Sequence, residues 1–125
     1  MINGSRLVAF AASTDLDRSR AFYQDVLGLT LVHADPYACE FDSAGTTLRV
    51  SRVETLVAAG YTVLGWEVPD LAAGVADLAG RGVTFSRFPG LDQDDLGIWT
   101  APGGDQVAWF ADPDANTLSL SQHVV

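Results

Sequence analysis

One cysteine (Cys39), seven basic residues and no apolar run of membrane-spanning length set the first limits on this 125-residue chain. A lone thiol cannot close an internal disulfide, so the chain does not read as a stapled secreted scaffold and suits a reducing cytoplasm. Polar Asn3, Gly4, Ser5 and Arg6 precede the first apolar stretch, and nothing near the N-terminus has the length or flanks of a signal peptide or a span. A cytoplasmic protein with no membrane partner is therefore expected. Seven Lys and Arg against 16 Asp and Glu leave a net charge of −9 and a pI near 4.2. That balance excludes the basic patches that nucleic-acid phosphates require, and it favours a cationic partner. Also missing are a CxxC pair, a phosphate-cradling glycine loop that opens a helix, and a Ser or Cys with an evident base partner. The "PGGD" of Pro102–Asp105 joins two strand-like runs, so it reads as a hairpin turn.

What is present is a 48% hydrophobic composition, enough for one globular domain spanning 1–125. "RLVAFAAS" (Arg6 to Ser13) is an apolar run of strand length. The following "STDLDRSRAFYQDVLG" changes period, with Leu16, Tyr23, Val26 and Leu27 at helical spacing. Ser13 or Thr14 is the expected cap of that helix, Asp15 and Asp17 suit its positive end, and Gly28 stops it. "LTLVHA", "YACEFDS" and "TTLRVSR" are short runs separated by turn residues and read as antiparallel strands. The second half repeats the order. "YTVLGWEV" is a strand, "PDLAAGVADLAGRG" a helix with Leu71, Val75 and Leu78 on one face, and "VTFSRF" a strand, with two or three more in "GIWTAPGGDQVAWFADPDANTLSLS". Letters match as well: Asp15-Leu16 with Asp70-Leu71, Leu27-Gly28-Leu29 with Arg81-Gly82-Val83, and "GTTLRV" with "ANTLSL". This is an α+β protein written as two βαβββ modules, about 5–56 and about 60–122.

The "DLDRSRAFYQDVLGL" segment, the closing "FADPDANTLSL" and the tandem modules resemble the vicinal oxygen chelate superfamily, the glyoxalase/bleomycin resistance/dioxygenase group. The resemblance implies an open curved barrel of two sheets around a ligand cup, with the helices outside. It also implies that any metal ligands, usually His, Gln or Glu, stand in the first and last strands of each half, which here are Val8, Arg49, Val63 and Ser119. None is a usable ligand for a divalent metal, and a two-residue slip offers only Arg6 or Phe10 in the first strand. His33 and His123 fall outside these positions. The expectation is a member with no metal and no cofactor.

Strand alternation then assigns the cup. Leu118 and Leu120 face the helices, so Thr117, Ser119 and Ser121 face the ligand, and by the same rule Thr47, Arg49 and Ser51 do so in the first half. Glu67 shares the inward face of its strand, with Arg49 as its counter-charge, and Val8, Phe10 and Ala12 form an apolar wall. Trp66 points the other way. Phe10 and Trp99, with Trp109 or Tyr37, are the candidate stacking rings, and the polar "FPGLDQDDLGIW" (Phe88 to Trp99) reads as a mobile loop over the mouth. The candidate ligand-binding residues are Phe10, Thr47, Arg49, Glu67, Trp99, Ser119 and Ser121. They suit a binding protein that sequesters a ring-containing molecule, as antibiotic-resistance relatives do. Two alternatives are a metal-free lyase, isomerase or cyclase with Glu67 as general acid/base, and a disfavoured metal-dependent glyoxalase or dioxygenase. Exposed sheet edges suggest a homodimer.

Overall fold

A computed structural model describes all residues, Met1–Val125. The chain divides into two compact units, Met1–Val57 and Ala58–Val125. In the first, β1 (Val8–Ser13) leads into α1 (Leu16–Arg20), a π-helical stretch (Ala21–Val26), β2 (Thr30–Ala34), β3 (Ala38–Ser43) and β4 (Thr46–Arg52). Its sheet order is β1-β4-β3-β2, with β1 parallel to β4 and the other neighbours antiparallel. In the second unit, β5 (Thr62–Glu67) leads into α2 (Leu71–Gly80), β6 (Trp99–Thr100), β7 (Gln106–Ala111) and β8 (Thr117–Gln122). Their order is β5-β8-β7-β6, again with the first strand parallel to the last.

The letter-level repeat is a structural repeat. Asp15 and Asp70 both cap helices from an extended backbone, their carboxylates accepting from the N–H groups of Arg18 and Ala73. This satisfies a helix-end donor that would otherwise lack a partner. Asp15 thus takes the role expected of Ser13 or Thr14. Ser13 instead lies buried, its Oγ accepting from the Asp15 N–H and from Ser19 Oγ, because β1 turns it under the helix. Gly28 and Gly82 both follow a helix with positive φ, +77° and +96°, conformations that a side chain opposes. Gly45 and Ala115, the turn residues before β4 and β8, are also both left-handed.

Each helix covers one face of its own sheet. Tyr23, Phe41, Leu48 and Val50 are buried in the first unit, and Leu71, Val75, Phe110, Leu118 and Leu120 in the second. Burying a side chain such as Leu118 fully contributes about 1.5–3 kcal/mol. Leu118 and Leu120 therefore face the helix side, as alternation requires, and Trp66 pairs with Leu120 on that side.

One expected strand is missing. "VTFSRF" meets β7 at a single bridge, Phe85 with Phe110, and the Ser86 N–H donates to the Trp109 carbonyl. The half-buried Phe85 ring packs 5.5 Å from the buried Phe110 ring, after which the chain leaves the sheet toward Pro89 and Gly90. No helix is long and apolar enough to cross a membrane.

Candidate functional site

The face of the second sheet turned away from α2 carries Thr62, Gly65 and Glu67 from β5, Thr117, Ser119 and Ser121 from β8, and Trp109 from β7. Its upper end is a cavity of about 510 Å³ whose walls include Tyr61, Phe88, Leu91, Trp99 and Trp109, with Thr62, Thr117 and the Tyr61 phenol as the side-chain hydroxyls. The Trp99 and Trp109 rings lie 6.2 Å apart and tilted by 35°, and Phe88 stands at 88° to Trp109 with centroids 5.5 Å apart. The Trp109 indole N–H donates to Thr62 Oγ1 at 3.1 Å. Since Thr62 accepts there, its own hydroxyl proton remains free to donate.

Two further features shape this face and its cavity. Gly65 leaves the sheet bare beside Ser119: a Cβ there would come 2.6 Å from Ser119 Oγ. The segment expected to be a mobile loop is instead braced. The Gln93 amide donates to the carbonyls of Ser86 and Gly97 and accepts from the Phe88 N–H. The Arg87 guanidinium donates to the carbonyls of Asp94 and Asp95, and the Asp94 carboxylate accepts from the Leu96 and Ile98 N–H groups. These bonds hold Phe88 and Leu91 at the cavity.

Of the residues singled out from sequence, Trp99 and the optional Trp109 line this cavity. Ser119 lies nearly buried between Gly65 and Trp109, and Ser121 stands opposite an exposed Glu67 lower on the same face. Phe10, Thr47 and Arg49 belong to the first unit, on the sheet face away from α1. There Arg49 has a different partner from the one expected. Glu40, its neighbour on β3, lies 3.6 Å from the guanidinium, a pairing set by β3–β4 register that sequence spacing does not reveal. Phe10 and Tyr37 are exposed. Tyr61, Phe88 and Leu91 were missed: Phe88 and Leu91 lie in an irregular segment where alternation gives no signal, and Tyr61, expected to open a strand, falls just before β5.

The divalent-metal donor set does not fit. Val8, Val63, Arg49 and Ser119 stand on the first and last strands of the modules, and nowhere do three His, Cys, Asp or Glu side chains gather. His33 and His123 are engaged with single carboxylates, those of Asp35 (3.0 Å) and Asp105 (3.1 Å).

Residues 13–39 match the family model "Bleomycin resistance protein-like N-terminal". No curated protein matches the chain. Among solved structures, a glyoxalase/bleomycin resistance protein/dioxygenase from Alicyclobacillus acidocaldarius superposes with a TM-score of 0.71 at 20% identity, over 97% of this chain and 92% of that one. The genomically encoded fosfomycin resistance protein FosX from Listeria monocytogenes gives 0.74 at 14%, over 95% and 93%. TioX from Micromonospora sp. ML1 gives 0.72 at 21%, over 97% and 100%. The chain shares the α+β fold of these solved structures, with two four-stranded sheets.

Proposed function

We propose that the protein is a metal-independent small-molecule binder of the glyoxalase/bleomycin resistance type that sequesters a ring-containing ligand. The observation that carries this reading is the cavity walled by Trp99, Trp109, Phe88 and Tyr61, whose few side-chain polar groups are the Thr62, Thr117 and Tyr61 hydroxyls and the indole N–H groups. Binding by shape and apolar contact needs a concave apolar wall and a few fixed polar groups. The poor donor set at the metal positions supports independence from metal, and the family match and the FosX likeness support a protective role. Titrating the protein with planar aromatic antibiotics and metabolites, followed by tryptophan fluorescence, tests the reading. Saturable quenching is expected, with the ligand recovered unchanged by mass spectrometry and with the same affinity in EDTA. Turnover of the ligand, or binding abolished by the chelator, would overturn it.

The protein is further proposed to act as a homodimer, since each sheet has two edge strands and covering an edge with a second copy blunts its tendency to pair elsewhere. Sedimentation equilibrium is expected to give twice the 13.3 kDa chain mass. A monomer at micromolar concentration would overturn this.

A further inference from the structure

We infer that the aromatic cavity of the second unit receives a quaternary or tertiary ammonium group of its ligand, held by cation–π attraction; this rests on reading that cavity as the ligand site. Four aromatic rings, Tyr61, Phe88, Trp99 and Trp109, surround one space of about 510 Å³. Three of these rings are mutually inclined, at 35° between the two tryptophans and 88° between Phe88 and Trp109. The tryptophans are also already in contact, so they leave no parallel slot for a flat ring between them. Faces arriving from several directions suit a compact, roughly spherical group. A cation within about 6 Å of a ring centroid is attracted by the ring's negative face, most strongly for Trp.

Charge narrows the class further. No Asp, Glu, Lys or Arg is among the lining residues, so no carboxylate forms an ion pair with a guest inside and no cation repels one. A primary ammonium would exchange water for few side-chain acceptors there, the hydroxyls of Thr62, Thr117 and Tyr61, with no carboxylate among them. An alkylated ammonium has few or no N–H groups to satisfy and a diffuse charge, which an aromatic wall matches. The long-range field has the right sign: the chain carries −9, and Asp92 follows Leu91 directly on the segment that closes the cavity. The nearby cation Arg87 is turned to the carbonyls of Asp94 and Asp95 and does not line the space.

The test titrates three soluble probes at pH 8 and follows the indole N–H resonances by NMR: choline, its uncharged carbon isostere 3,3-dimethyl-1-butanol, and the neutral flat ring quinoline. Choline is expected to bind roughly tenfold more tightly than the isostere, and to lose that preference in Trp109→Leu and in Trp99→Leu. The second variant, on the two-residue strand β6, serves if the first fails to fold. Equal or tighter binding of the isostere overturns the inference. Choline affinity that survives both substitutions also overturns it, because surface carboxylates would then account for the binding. Quinoline binding without choline overturns the ammonium assignment and leaves the ring-binding reading standing. If neither binds, both fall.

Discussion

Trp109 Nε1 donates to Thr62 Oγ1 at 3.1 Å, so a side chain from β7 reaches across β8 to the edge strand β5, 47 residues away in sequence. The bond fixes the indole plane at the cavity wall. Thr62→Val keeps the shape and removes the acceptor. Loss of one such bond is expected to cost about 1 kcal/mol, or roughly fivefold in affinity for an aromatic ligand, with little change in the melting temperature because the site is exposed. Fluorescence titration beside a melting curve checks this.

Gly65 and Ser119 form a second dependent pair. Gly65→Ala is expected to destabilise the fold by about 1–3 kcal/mol through the clash with Ser119 Oγ. Ser119→Ala alone should change little, and the double substitution should recover most of the loss, a non-additivity that urea unfolding reads directly. Additive losses would mean that the contact is not the cause.

Cys39 is buried in the first unit, and burial pushes its thiol above the usual value of 9.0. Native protein is expected to react with iodoacetamide at pH 8 far more slowly than urea-unfolded protein. Because the folded state prefers the neutral thiol, this contribution is complete below the unfolded value. It is lost as pH rises from about 9 toward the folded one. Cys39→Ser should flatten that alkaline limb of the stability profile.

Asp35 behaves in the opposite sense. Its carboxylate accepts from the Tyr37 and Ala38 N–H groups and lies beside His33, which holds its pKa below the usual 3.8. The stabilisation is present above pH 3.8 and disappears as pH falls through the lower folded value. Asp35→Asn should therefore remove part of the acid sensitivity of the β2–β3 turn, measured by amide exchange between pH 2 and 5.

Ala115 holds a left-handed φ of 64° where the first module has Gly45 at 89°. Ala115→Gly relieves about 1 kcal/mol of steric cost and loses a similar or smaller amount through the freer unfolded chain. A neutral to slightly stabilising change in urea midpoint is expected. Clear destabilisation would show that the Ala115 methyl has a packing role.

The elements and their repetition were legible in the chain itself because they are local. The helical period follows Asp-Leu in both halves, although the first cap is Asp15 and not Ser13 or Thr14, and two-residue alternation in "TTLRVSR" and "NTLSLSQ" decides which side chains go to the core. The hydroxyl face of β8 follows from the same rule. Partners across strands were not legible. Arg49 meets Glu40 through the pairing register, and Trp109 finds Thr62 through the order of strands in the sheet. The cavity is a tertiary product as well. Phe88 and Leu91 come from a segment without periodicity, braced by Gln93 and Arg87 hydrogen bonds to carbonyls elsewhere in that segment, and meet the tryptophans only in the folded unit. Sequence patterning determines what each strand buries, since burial depends on spacing along one element. Tertiary structure decides which side chains share a wall, since that depends on register, strand order and loop bracing between elements far apart in the chain.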